Sequence, residues 1–494
     1  MRTFLALLFL AAPLFAQHDH SDHQHDLGNI GKVHLATTCN EPAQAEFDRG
    51  VALMHSFWYA EAEKAFRNAA SMDAECGMAW WGVAMANVHP VWQPPTPAEL
   101  KTGKAAAEKA AGVSAKSDRE KAYILAINTY FANADTLDHA TRMRAYETAM
   151  AKLEADNPAD HEAAIFHALS LLGIADPKDK TYAKQKQAAA ILNRLLPEEP
   201  NHPGIAHYLI HSFDYPELAE LALPAARAYA KIAPGAPHAL HMPSHIFTRL
   251  GLWDESIASN LASAKVAREH AAAGSTAFDE LHAIDYLVYA YLQEGRDDEA
   301  RALVEKTKSV KSVDNPSNFA GAYAISAVPA RFALERRQWK EAAALTVPTG
   351  VAWDKFPYAE ANIHFARAIG AARSGDTKVA MDAVAHLSTI RKTLDGYWGD
   401  QVEIQRLAAL AWMAHASGSD VDALKLMHQA ADLEATTEKH PVTPGAIIPA
   451  RELLAEMLLD VGQKEEAHAA AERVLKDAPG RRNAMMIAKR SASQ

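Results

Sequence analysis

From residue 43 onward, apolar residues return at three- and four-residue intervals in paired segments separated by short turns. That period predicts amphipathic helices, because strands alternate at period two. Small residues recur where two helices must approach closely. Gly50, Ala62, Phe66 and Ala69 mark one pair over residues 43–74, and Gly462, Ala467, Ala471 and Pro479 mark another near the C-terminus. Between them come Ala188, Leu192 and Pro200, then Ala222, Ala226 and Pro234, with further turn-and-helix patterns at RRQWKEAAAL, SGDTKVAMDAV and SGSDVDALKLMHQA. Each hairpin has an apolar face that it cannot bury alone, so neighbours must stack, and about eleven helix pairs are expected. Irregular stretches are expected at HPVWQPPTPAEL, after Gly274, at KSVDNPSNF and at KHPVTPGAIIPA. The fold class is all-α.

These markers resemble the tetratricopeptide repeat family, whose 34-residue unit places small residues near positions 8, 20 and 27, an apolar residue at 24 and Pro at 32. Residues 43–74 depart from it only in carrying Ala74 where the family has Pro. The resemblance implies a right-handed α-solenoid of antiparallel helix pairs running continuously from 39 to 494. The blocks HSFWYAEAEKAFRNAA, WWGVAMANVHPVW, HYLIHSFDYPELA and HMPSHIFTRLGLWDESIASN are similar to a group of secreted bacterial tetratricopeptide proteins. That similarity implies the fold and an export route and supplies no reaction.

Composition agrees with helices: the chain is rich in Ala and holds only 23 Gly in 494 residues. A formal net charge of −11, without a Lys/Arg stripe, argues against a nucleic-acid partner. Residues 1–16, MRTFLALLFLAAPLFA, have the basic start, apolar core and small end residue of a secretory signal peptide, so the mature chain is expected in the periplasm or medium. No segment is long and apolar enough to span a bilayer. Residues 17–38 are expected to form a disordered tail in which His18, His20, His23 and His25 alternate with acids. Such a tail either captures Zn, Cu or Ni weakly or is a solvated leader. In an oxidising compartment Cys39 and Cys76, 37 residues apart, are expected to pair and staple the first repeat.

Histidine is concentrated between residues 201 and 295. His207 and His211 are spaced i, i+4 on one predicted helix, and His241 and His245 repeat the spacing 34 residues later, as Pro234 repeats Pro200 and Ser256 repeats Ala222. Such pairs share a helix face, and the period puts the two pairs at equivalent places on adjacent first helices. In the tetratricopeptide register these are positions 5 and 9, with His238 at position 2; the resemblance implies that these positions line the concave surface. The following unit contributes His282, Asp285 and Tyr289 at the same three positions. His207, His211, His241 and His245 are therefore candidate metal ligands, with His238, His282, Asp285 and Tyr289 as neighbouring ligand-binding or orienting groups. An imidazole-rich set suits Zn or Cu, with Fe also suited. The competing reading makes these histidines amphipathic packing residues.

Other chemical patterns are weak. His161-Glu162 opens an H-E-x-x-H pattern, but Ile165 stands at the second ligand position. Ser244 has no oxyanion-hole motif beside it, and Trp80, Trp81 and Trp92 suit packing. His55, His89 and His440, near turns or helix ends, are expected to cap or hydrogen bond. Three functions stay open: an exported scaffold whose central concave surface binds a transition metal or polar ligand, a metal-dependent hydrolase or oxidase using the same cluster, and an adaptor that takes a protein or peptide in its groove.

Overall fold

A computed structural model describes residues 27–91, 93–113 and 117–492. The signal-peptide segment, the four tail histidines and Trp92 lie outside the described residues. Successive antiparallel helix pairs run from Glu41–His55 with Tyr59–Met72 to Ala450–Asp460 with Lys464–Asp477, and Arg482–Ala492 closes the array. Each helix packs mainly on its sequence neighbours and on the equivalent helix of the next pair, as a solenoid requires. Among the described residues the only β-type pairing is an isolated bridge between Thr276 and Val313. No helix there is long and apolar enough to cross a membrane.

Local chemistry sets the helix starts. Asn40 accepts the amide of Ala43 ahead of Pro42, and Thr96 and Glu99 form a reciprocal capping box. Gly50 does what the period predicted, and Gly82, which the period did not mark, does the same. A Cβ on Gly82 would lie 2.3 Å from the ring of Phe66 and one on Gly50 2.6 Å from it, so both glycines exist to admit that buried ring. Cys39 and Cys76 form a disulfide that joins the chain ahead of the first helix to the start of the third.

Two regions depart from expectation. The disordered tail expected through residue 38 is corrected from Leu27 onward. There the chain is an extended strap that buries Leu27, Ile30 and Leu35 and accepts the Gly235 amide on the Asn29 carbonyl at 2.8 Å. The strap ends where Glu120 takes both the amide and the hydroxyl of Thr38, at 2.6 and 2.8 Å. Three apolar side chains and paired backbone groups outweigh its polar composition. The stretch KHPVTPGAIIPA, expected to be irregular, is part of a non-helical segment over 436–449 that turns inward against the central repeats. Lys439 reaches Asp214, Thr443 offers its carbonyl to Tyr286, and the Ala446 carbonyl accepts from Arg331. It fills part of the concave groove opposite the central repeats.

Candidate metal centre

Four neighbouring helical segments supply the site. Pro203–Phe213 starts at His202, whose Nδ1 caps it by accepting the amides of Gly204 and Ile205. It carries His207 and His211. The next first helix is interrupted at Met242 into Pro237–His241 and Pro243–Arg249, because Pro243 can supply no amide to the ladder. It carries His238, His241 and His245, and Phe278–Glu294 carries His282.

The i, i+4 pairs do sit on adjacent first helices, but they do not converge on one four-histidine point. Each pair instead gathers a third histidine. His207, His211 and His238 form one cluster, and His241, His245 and His282 a second, with one ring nitrogen of each residue within 4.8 Å of the others in its cluster. All six are buried, the most exposed being His211 at 6%. In the first cluster the Nε2 of His207 lies 3.1 Å from that of His211 and 3.2 Å from that of His238. In the second, Nε2 of His241 and Nε2 of His245 are 3.0 Å apart. Two nitrogens on a tetrahedral zinc are separated by about 3.3 Å, from zinc–nitrogen bonds of about 2.0–2.1 Å.

The outer ring nitrogens fix which inner ones carry protons. His207 donates its Nδ1–H to the His55 carbonyl at 2.6 Å. Asn260 donates Nδ2–H to the Ser256 carbonyl, so its Oδ1 accepts Nδ1–H of His241 at 2.6 Å. Asp214 accepts Nδ1–H of His245 at 3.0 Å. Neutral His207, His241 and His245 therefore present bare lone pairs at Nε2. For His241 and His245 two lone pairs face each other across 3.0 Å, an arrangement that calls for a cation between them. The anchoring carbonyl, amide and carboxylate are of the kind that orient metal-bound histidines.

Electrostatics keeps the rings neutral. Burial holds His207, His238, His241 and His282 well below the ordinary imidazole range, and neighbouring histidines add to the effect. Burial, with His245 second, brings His211 down to about 3. Asp214 stays ionised: burial pushes it upward, but Lys439 and Arg249 hold it well below the carboxylate range. Apolar and phenolic walls exclude water. Phe57, at a positive φ of 53°, sets its ring centre 4.3 Å from His207 and 5.5 Å from both His211 and His238. Tyr286 covers the second cluster, its hydroxyl 3.3 Å from Nε2 of His245 and donating to the Thr443 carbonyl.

Two expected neighbours belong elsewhere. Asp285 pairs with Arg331 at 3.4 Å, and Tyr289 accepts from Arg481 at 3.0 Å. On their shared helix Asp285 is rotated from His282 toward the following repeat, whereas Tyr286, one helical turn beyond His282, faces His245. Tyr286, Asn260 and Asp214 are the groups that the spacing missed; each meets the histidines through packing between helices. His55, Glu162 and His202 make a third buried group. It is a hydrogen-bonded triad: His202 uses Nδ1 as the helix cap and so donates from Nε2 to Glu162 at 2.8 Å, while His55 Nε2 meets the other carboxylate oxygen at 2.9 Å. Its role is to hold His55, whose carbonyl orients His207. Glu162, first half of the failed H-E-x-x-H pattern, is thus used structurally, and Ile165 is core.

Fold and site together define a tetratricopeptide-like helical solenoid with paired histidine clusters buried in its central repeats. No family model matches the chain, and no curated protein does. Among solved structures, the human IFIT1 dimer with m7Gppp-AAAA is similar at 12% identity over 84% of this chain and 89% of that one, with a TM-score of 0.43. The Cut9–Hcn1 hetero-tetramer of the APC/C is similar at 12% identity over 91% and 76%, TM-score 0.38. Yeast Tom70 is similar at 14% identity over 91% and 96%, TM-score 0.33. Likenesses this distant leave the site to be argued from its own geometry.

Proposed function

We propose that this chain is an exported helical-repeat protein that holds transition-metal ions inside its central repeats, one in each three-histidine cluster. The observation that carries the reading is the confrontation of the His241 and His245 lone pairs at 3.0 Å, each ring locked from behind by Asn260 or Asp214. The all-imidazole donor set favours Zn or Cu, and Fe is also accommodated. Export rests on residues 1–16 and agrees with the Cys39–Cys76 disulfide. Elemental analysis of untagged protein, before and after reconstitution with zinc and with copper, tests the reading. Two ions per chain are expected in the native sequence and one in each of the double variants His207→Ala/His211→Ala and His241→Ala/His245→Ala. Absence of stoichiometric metal from the native chain under every condition would falsify it.

A second reading, binding of a peptide or small ligand from another exported component, is favoured by a cavity of about 610 Å³ on the inner surface. Tyr323, Tyr358, Trp398, Asn362, Gln401 and Lys439 are among the residues lining it. None of the six clustered histidines lines this cavity, so this reading does not need metal. Unaltered ligand capture by a variant lacking all six histidines would separate it from the first.

A further inference from the structure

The two clusters are not independent neighbours. His238 and His241 lie three residues apart on the single turn Pro237–His241, yet His238 serves the first cluster and His241 the second. Residues at that spacing have Cβ atoms about 5–6 Å apart. One turn of helix therefore feeds both clusters and couples their positions. The rings confirm the closeness: His238 and His241 have centres 6.0 Å apart, and His211 and His245, reaching across from different helices, 6.2 Å.

Three further observations restrict the chemistry. Each cluster offers three imidazoles, leaving room in a four-coordinate shell for one more ligand per ion. Neither cluster includes a carboxylate, and that of Asp214 is occupied behind His245, so the donor set differs from the carboxylate-rich sites of helical di-iron proteins. The six side chains are 0–6% exposed and walled by Phe57, Tyr229 and Tyr286, so only a ligand of a few atoms can enter.

Resting on the metal-holding reading, we infer that the clusters act as one dinuclear copper centre whose substrate is dioxygen, bound between an ion on His207, His211 and His238 and an ion on His241, His245 and His282. Each copper(I) gives one electron to the bound dioxygen. The O–O π bond is lost, two copper–oxygen bonds form, and peroxide dianion lies between two copper(II) ions. No proton moves, and the reverse electron transfer releases dioxygen. The shared turn at His238 and His241, whose ring centres lie 6.0 Å apart, holds the two clusters side by side.

The test loads the untagged full chain with copper(I) under argon, counts copper, admits air, and records near-ultraviolet absorption and the copper(II) EPR signal. Expected are two ions per chain, a new absorption band on oxygenation, and loss of all but a trace of the EPR signal through coupling of the two ions. His282→Gln should hold one ion and show, after oxidation, the full EPR signal of an isolated copper(II). If the native chain holds two ions that both give isolated EPR signals, or holds only one, the pairing is overturned and metal holding stands. Two ions that remain copper(I) in air overturn the dioxygen assignment. Failure to bind copper or zinc at all overturns both readings. Should His282→Gln lose helicity, the native-chain EPR measurement decides alone.

Discussion

Replacing Asn260 with Ala should weaken one metal ion and leave the other untouched. Asn260 is fully buried on the Trp253–His270 helix, and its Oδ1 is the acceptor that fixes His241 with the lone pair of Nε2 turned inward. Loss of an orienting partner of this kind costs about 10- to 100-fold in metal affinity, or about 1.4–2.7 kcal/mol. The first cluster is oriented instead by the His55 carbonyl, which the substitution does not touch. Competition titration against a chelator should therefore resolve two classes of site in the variant, one with native affinity and one 10- to 100-fold weaker. The metal-free variant should also lose about 1–3 kcal/mol, because the Nδ1–H of His241 stays buried without its acceptor; thermal unfolding of the metal-free forms separates that cost from the binding effect. Native affinity at both sites, or equal weakening of both, would refute the assignment of Asn260 to the second cluster.

Three other outcomes follow from features outside the clusters. Opening the Cys39–Cys76 disulfide with Cys39→Ser/Cys76→Ser should destabilise the first repeat by about 4 kcal/mol, from the loop entropy released to the unfolded chain; hydrogen exchange of the Glu41–His55 amides measures it, and unchanged protection contradicts it. Gly82→Ala would place a methyl 2.3 Å from Phe66 and should cost about 1–3 kcal/mol by overpacking, read by denaturant unfolding against the native chain. Burial brings His440 down to about 3 and His139 to about 4. When unfolded both take up a proton near the ordinary value of about 6.5. Their stabilisation is complete above that value and drains away as pH falls toward 4 and then 3, each group contributing a slope of up to about 1.4 kcal/mol per pH unit. Unfolding of metal-free protein at pH 7, 6, 5 and 4 checks the sign, and a stability independent of pH rejects it.

The fold was visible in the sequence because a solenoid repeats a local rule. Gly50, Ala62, Phe66 and Ala69 announce their helix pair by spacing alone, and each is buried as the spacing requires. The same period placed His207/His211 and His241/His245 on adjacent helices. What spacing could not supply was the rotation of each helix about its axis. A small turn of Phe278–Glu294 decides that Tyr286 and not Asp285 meets the histidines, and packing against Arg331 sets that turn. Nor does any local pattern link Asp214 to Lys439, 225 residues away. The ordered strap at 27–38 was hidden for a similar reason: Leu27, Ile30 and Leu35 form no helical period, and their burial depends on a surface made by other repeats.

The inward-turned 436–449 segment bears on when the molecule becomes competent. Repeat arrays can fold piecemeal from any point, since each unit needs only its neighbours. The second cluster breaks that independence, because Asp214 is held by Lys439 and Tyr286 is met by Thr443. During synthesis all six histidines emerge long before residue 439, and for that interval the site lacks its back wall. A molecule cut short before residue 439 would have all six histidines but neither the Lys439 partner of Asp214 nor the Thr443 carbonyl that accepts from Tyr286.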